Sequence, residues 1–370
     1  MCSEAGSEIS SYFQERDDQM MDRADGFLEE ILSQPRVLRA TLDRYLEDET
    51  LLRPVRGVVE QKKYDMVVLT GMGSSYFALY PACIYLNQRG LPAVMVEASE
   101  LLHYYQELIS DRVLVVLASQ SGETVEVKRL LDEVGARTYM ISVTNHAENY
   151  VARNSDLPLL LYAGQEKGPA SKTYTSTMGV LLLCAMALTS SMDKRKVREL
   201  FAAVEAMEGF LARWEESIDR LAAFLGPVDR LSLLGRGPSL GSAMAGSLIL
   251  KEAAKVQAEG ISAGQFRHGP LEVASSGFGA VVFAQKGRTR DINLRIAHDI
   301  ARFGGKAVVV GSDEKYQGER ILNLGLPALE ELYSPLVEIV PIQLLAWRLA
   351  VEKGLQPGTF DQAGKVTLYE

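Results

Sequence analysis

Four- to six-residue apolar runs recur along this chain, separated by longer stretches with amphipathic spacing. Met66–Thr70, Val115–Ala118 and Tyr139–Val143 are such runs in the first half, and Leu231–Leu234, Val281–Ala284 and Ala307–Val310 in the second. Short, nearly continuous apolar runs suit parallel strands buried on both faces. The stretches between them, such as Thr124–Val134 and Ser239–Glu259, have the spacing of crossover helices. The pattern predicts an α/β fold with a parallel, doubly wound, flavodoxin-like sheet, and it predicts that sheet twice. Asp65-Met-Val-Val-Leu-Thr-Gly71-Met-Gly73-Ser74-Ser75 is echoed by Asp229-Arg-Leu-Ser-Leu-Leu-Gly235-Arg-Gly237-Pro238-Ser239. Val115-Val-Leu-Ala-Ser119 pairs with Val281-Val-Phe-Ala-Gln285, and Thr138–Val143 with Ala307–Val310, at closely similar offsets. Three matched strands mark a duplication.

Around this pair, residues 1–45 read as an amphipathic helical arm (Ile9, Tyr12, Phe13; Phe27, Ile31, Leu32) with Pro35 as a break. The first domain is expected over 46–195, a helical connector over 196–224 and the second domain over 225–353. The second domain closes with the apolar helix Val340–Val351, and a tail of residues 354–370 follows.

Composition narrows the function. The 370 residues can hold two or three domains, and 39 Lys plus Arg against 48 Asp plus Glu give a net charge of −9. That balance argues against a nucleic-acid partner, which needs a basic face, but not against a local site for a small anion. No apolar run approaches the ~18–20 residues of a membrane span, so no membrane association is expected. The polar, acidic N-terminus does not resemble a signal peptide, and a cytoplasmic location is expected. Cys2, Cys83 and Cys184 and the four histidines lack metal-ligand spacing, so no metal and no cofactor are expected. Cys2 as an N-terminal nucleophile would need a glutaminase domain, which the ~45 residues before the first strand cannot hold.

Ligands of parallel sheets bind beyond the carboxyl ends of the strands, so the loops there carry the candidate chemistry. Ser119-Gln120-Ser121-Gly122-Glu123-Thr124 follows a strand and opens a helix. Its three hydroxyls, one glycine and the helix-terminal amides can hold a phosphate without any Lys or Arg. One hydroxyl would suffice for an N-cap; three point to a ligand. Gly71-Met-Gly73-Ser74-Ser75 is a partial glycine motif followed by Glu97, which makes nicotinamide binding a competitor. Tyr76 stands where the third glycine belongs, and the hydroxyl loop has no place in that scheme. Glu166–Thr177, with Ser171, Lys167 and Lys172, is a hydroxyl-rich stretch equally consistent with a solvated loop. Glu252, on a helix, and His268, in the turn Arg267-His268-Gly269-Pro270, could meet if the loop between them folds back. A carboxylate and an imidazole are the usual pair for moving a proton next to a carbonyl, although each residue alone is more often solvated. Lys365 in the tail is either solvated or an amine placed for a Schiff base.

Together these pieces resemble the sugar isomerase (SIS) domain family, in the two-domain form found in the isomerase part of glutamine–fructose-6-phosphate aminotransferase without its glutaminase domain. The resemblance spans roughly 45–370 and rests on Ser119–Thr124, Leu250-Lys-Glu252, His268-Gly-Pro-Leu271, Pro341-Ile-Gln-Leu-Leu-Ala346 and Lys365. It implies two tandem SIS domains that bind a small-molecule sugar phosphate and use no cofactor. Gly73, Ser74 and Ser75 would line the sugar site, and Ser119, Gln120, Ser121 and Thr124 would hold the phosphate, with Ser171 nearby. Glu252 would move a proton between C1 and C2, His268 would open the ring from a neighbouring subunit of a homodimer, and Lys365 would form an imine. Ala245 and Ile249 stand where the family's synthase has an acid and a lysine, which alters site polarity and argues against glutamine-dependent synthesis. The resemblance therefore implies an aldose–ketose isomerase or amino-sugar-phosphate deaminase. The alternatives are a deglycase of 6-phosphorylated fructosamine adducts and, in another class, a non-catalytic sugar-phosphate sensor. A DNA-linked sensor would need a helix-turn-helix pattern, which residues 1–45 lack.

Overall fold

The structure, a computed structural model, describes residues 26–48, 50–226, 230–312, 316–362 and 364–367. Cys2 and the first apolar cluster of the arm (Ile9, Tyr12, Phe13) lie outside these residues. The first sheet contains β1 (Met66–Gly71), β2 (Ala93–Met95), β3 (Val113–Ala118), β4 (Tyr139–Thr144) and β5 (Leu157–Leu160) in the order β2-β1-β3-β4-β5. The second contains β6 (Arg230–Gly235), β7 (Ala258–Ser262), β8 (Phe278–Phe283), β9 (Lys306–Gly311) and β10 (Ile321–Gly325) in the order β10-β9-β8-β6-β7. Read from the opposite edge, that is the same winding, and every pairing between neighbouring strands is parallel. The expected duplication of a doubly wound flavodoxin-like sheet is therefore what the chain forms.

The strands that stood out as apolar runs are the central ones. Every residue of β3 and β8 is buried, because helices cover both faces. The strands that periodicity did not single out, β2, β5, β7 and β10, are edge or near-edge strands with half-exposed positions. Pro158 sits in β5, where an edge tolerates the missing N–H. β7 corrects one expectation. The amphipathic stretch Ser239–Glu259 is not one helix: the helix ends at Ala254, Lys255 turns left-handed (φ 51°), and the strand starts at Ala258.

The helix Lys172–Leu188 is buried along nearly its whole length. With the helices Ser239–Ala254 and Val340–Glu352 it belongs to one hydrophobic core that joins the inner faces of both sheets. The outer face of each sheet has its own smaller cluster. The helices Lys194–Leu211 and Trp214–Leu225 connect the two halves. Before the first sheet, Gly26–Leu32 and Gln34–Glu47 are separate helices, with Pro35 in the first turn of the second. No helix among the described residues is long and apolar enough to cross a membrane.

Candidate functional site

The hydroxyl loop lies at the switch point of the first sheet, between β3 and the helix Val125–Val134. Gly122 is left-handed (φ 67°), and a Cβ there would stand 2.2 Å from Cγ of buried Asn149. Only glycine fits that approach. Asn149 in turn donates to Thr144 Oγ1 (2.6 Å) and accepts from Ala152 N (2.8 Å), so the loop rests on a fixed neighbour. Ser119 Oγ accepts from Gly122 N and Ser121 Oγ from Glu123 N, both at 3.2 Å. Glu123, the loop's one acid, accepts from Tyr150 N (2.8 Å) and pairs with Lys128 at 2.5 Å. Those bonds hold its carboxyl below the usual range. Thr124 occupies the N-cap position but its side chain makes no capping bond.

The tail reaches this loop. Thr367 O accepts the first helical N–H, from Val125, at 3.1 Å. Two residues earlier, Lys365 Nζ donates to Glu166 O (2.9 Å), Glu166 Oε2 (3.0 Å) and Gly168 O (2.8 Å), and three acceptors are the full complement of an ammonium. Glu166, 6% exposed, also accepts from Ser171 N (3.0 Å), Ser171 Oγ (3.2 Å), Thr173 N (3.1 Å) and Thr173 Oγ1 (2.5 Å). One carboxylate thus caps the helix Lys172–Leu188 and anchors the tail. Ser171, expected among the substrate- and phosphate-binding residues, is fully buried and bonded to Glu166. Sequence inspection placed Glu166 in a polar loop without a role. Its signal was a carboxylate a few residues ahead of hydroxyls at a helix start, a displaced form of the capping box.

The arm holds the same loop from behind. Glu30 accepts from Lys167 N (2.7 Å) and Gly168 N (3.2 Å). Phe27 fills the gap between Gly168 and tail residue Gly358: a Cβ on either glycine would come within 3.0 Å of it.

Glu252 lies near the end of the helix Ser239–Ala254, half-buried. Its backbone carbonyl accepts from Lys255 Nζ (2.8 Å), which also donates to Thr359 O (3.0 Å) and pairs with Asp361 (3.2 Å) in the tail. Burial pushes its carboxyl up to about 7, Lys365 and Lys255 pull it back, and Glu166 adds a like charge. The charges of the anchored Lys365–Glu166 pair therefore reach Glu252. Because the folded protein holds this proton more tightly than an ordinary carboxyl at 4.5, stability falls as pH rises through this range and stays lower above about 7. Glutamine lacks that cost. Glu252→Gln should resist urea better than wild type at pH 8.5, by on the order of 2–3 kcal/mol, with the gap closing toward pH 5. A gap independent of pH would contradict this environment.

His268 is not beside Glu252 within one chain. The helix returns the chain to the amino edge of the second sheet, and β7 then carries it to the opposite edge before His268. Five residues of strand span roughly 16 Å, so the expected fold-back does not occur. His268 is exposed, and among the described residues its side chain makes no hydrogen bond or ion pair. Gly73 (φ 51°) opens the short helix Gly73–Phe77, and Ser74 and Ser75 are half-buried in its first turn. Leu248, one turn before Glu252, would lie 3.6 Å from a Cβ on Gly73, which brings this turn next to the Glu252 helix. Glu97 is half-buried and, with Gly73, Tyr76 and Lys251, lines a groove between the two halves.

Ala245 and Ile249 share a helix face with Glu252, but both are fully buried in the common core. At these positions the chain has packing, not an altered polar wall. At the start of this helix, Ser239 Oγ (3.0 Å) and Ser242 Oγ (3.1 Å) donate to fully buried Glu338, on the helix Pro335–Glu338, and burial pushes its carboxyl up to about 7. Burial likewise raises the thiols of Cys83 to about 11 and Cys184 to about 12. Among the described residues no three His, Cys, Asp or Glu side chains gather as a metal-binding group.

Two tandem doubly wound sheets, joined on one core and with a hydroxyl loop at the first switch point, define the class of the fold. The model of the SIS domain matches residues 61–188 and 225–351, and the chain belongs to that family. The isomerizing glutamine–fructose-6-phosphate aminotransferase of Methanothermobacter thermautotrophicus is 33% identical over 338 residues, covering 89% of this chain and 55% of that protein. The chain spans about half the length of the curated relatives it matches. Among solved structures, the C-terminal domain of glucosamine-fructose-6-phosphate aminotransferase from Francisella tularensis superposes with a TM-score of 0.79 at 23% identity, covering 92% of this chain and 98% of that one. Glucosamine-6-phosphate deaminase from Thermotoga maritima gives 0.73 at 22%, covering 93% and 99%. At these identities the likeness is one of fold.

Proposed function

We propose that this protein is a phosphosugar isomerase or deaminase that acts on an amino-sugar 6-phosphate or fructose 6-phosphate by proton transfer between C1 and C2 of the open-chain sugar. The observation that carries this reading is Glu252: a half-buried carboxyl whose proton affinity lies near neutrality, reached by the charge of Lys365 on a tail that also touches the hydroxyl loop. Such a carboxyl can take a carbon-bound proton and return it at physiological pH. A sensor needs the phosphate loop but has no use for a tuned base.

In this scheme Ser119, Gln120, Ser121 and Thr124 bind the phosphate with the amides of the helix behind them, and Gly73, Ser74 and Ser75 line the sugar. Lys365 starts as a fully bonded ammonium. To attack C2 as an amine it must give up a proton and leave Glu166. Glu252 is the carboxylate suited to take that proton, since Glu166 still accepts four hydrogen bonds from Ser171 and Thr173. It returns the proton as the C2 oxygen leaves as water on imine formation, and is then free to take the carbon-bound proton. Ser121→Ala with Thr124→Ala should weaken sugar-phosphate binding by about 1–3 kcal/mol in a calorimetric titration. Unchanged affinity would move the phosphate elsewhere.

His268 enters the scheme from a second copy. Exposed and a strand's length from its own Glu252, it suits ring opening in a partner's site, which makes the active species a homodimer. Co-expressing Glu252→Gln and His268→Ala chains should restore about a quarter of wild-type activity, because half of the randomly paired dimers hold one intact site of two. A mixture as inactive as its parents would place His268 and Glu252 in the same chain's site, and an active His268→Ala parent would leave His268 outside it.

A further inference from the structure

The second sheet repeats the winding of the first and so has its own switch point, between β6 and β8. Its chemistry is different. Where the first sheet presents Ser119-Gln-Ser-Gly-Glu-Thr124, the second presents Gln285-Lys286-Gly-Arg288-Thr-Arg290. Arg236, in the loop after β6, is half-buried and spends its Nε on Asn293 Oδ1 (3.1 Å), at the start of the helix Arg290–Arg302. Its guanidinium lies against Gly264, where a Cβ would stand 2.8 Å from Nη1. Burial and the charge of Arg267 both make its own charge harder to hold. Among the described residues, no carboxylate lies within ion-pair distance of Arg236, Lys286 or Arg288. Three cations without an ion-pair partner, on the two loops that flank one switch point, are unexpected in a chain of net charge −9.

A carboxylate already occupies the loop's amide. Glu331 Oε2 accepts from Arg288 N at 3.3 Å and Oε1 from Thr289 Oγ1 at 3.5 Å. Both bonds are long, so the group is loosely held. A Cβ on Gly287 would fall 2.5 Å from Glu331 Cδ, so the missing side chain is what lets an anion sit here. Beside it, Gln285 is 4% exposed and its buried Oε1 has no hydrogen-bond partner among the described residues. That acceptor would suit a hydroxyl donor.

We propose that the switch point of the second sheet is a second anion site, for a phosphate-bearing small molecule, with Glu331 as an internal occupant that the ligand displaces. Backbone amide and hydroxyl would bind phosphate as they now hold the carboxylate, and the flanking cations, which pair with no carboxylate now, would add charge-assisted bonds. This does not depend on what the first sheet binds.

Calorimetric titration with inorganic phosphate tests it. Arg236→Gln with Arg288→Gln should weaken one class of site by about tenfold or more, the scale of lost charge-assisted bonds. Glu331→Gln should act in the opposite direction, tightening the same class by about threefold or more, since it removes the competing charge but keeps the side-chain volume. The opposite signs exclude misfolding as a common cause. Ser121→Ala with Thr124→Ala should leave this class untouched, whatever it does to the other. Phosphate affinity that ignores both the arginines and Glu331 would overturn the proposal, as would loss of all binding in the Ser121/Thr124 variant.

Discussion

Glu252→Gln should bind sugar phosphate almost as wild type does, yet exchange the C1 or C2 hydrogen with deuterated water ~10²–10⁴-fold more slowly, the usual loss for a missing general base. Shape and most hydrogen-bonding capacity survive the substitution, and the loop proposed to hold the phosphate is a different one. Exchange is the right readout because it reports proton abstraction without knowledge of the leaving group. Wild-type exchange should also rise with pH through about 7, since the carboxylate is the active form and burial has moved its titration to that range. Equal exchange in both proteins would remove Glu252 from the chemistry. Tight binding without exchange in wild type would favour a sensor.

Glu166→Ala should release the tail. The substitution removes the charged one of the three acceptors of Lys365, leaving the carbonyls of residues 166 and 168, and with it the acceptor of the first-turn groups Ser171 and Thr173. Breaking a buried charge pair while one partner remains costs about 3–5 kcal/mol. In a protein of this size each kcal/mol lowers the melting temperature by roughly 2–4 °C, so a fall of several degrees is expected. Carboxypeptidase should then trim past Lys365, which it should not reach in wild type. Glu166→Gln, which keeps an acceptor but loses the charge, should fall between. Full tail protection in Glu166→Ala would mean that the two carbonyl bonds left to Lys365, Lys255 through Thr359 and Asp361, and the Phe27 contact suffice to hold the tail.

Much of this was legible without coordinates, for reasons particular residues make clear. The central strands announce themselves because burial on both faces leaves no polar position to break Val113–Ala118 or Phe278–Phe283. Edge strands carry no such mark. β7 hid inside a helical spacing because Ala258-Glu-Gly-Ile-Ser262 is short and half-exposed, and only the left-handed Lys255 separates it from the helix. The hydroxyl loop was visible because its chemistry is local: three hydroxyls and a glycine within six residues. Glu166 was not, since its role depends on an amine 199 residues away.

The sequence alone determined the duplication, the parallel winding, the loop with anion-binding chemistry and the roster of titratable side chains, all properties of residue type and short-range spacing. Tertiary structure decided which of those side chains share a space. It brought Glu252, Glu166 and Lys365 together, bonded Ser171 to Glu166, buried Ala245 and Ile249 in the core, and put the length of β7 between Glu252 and His268. Proton affinity and partnership depend on desolvation and on charges contributed by distant parts of the chain, and those exist only once the two halves pack on one core.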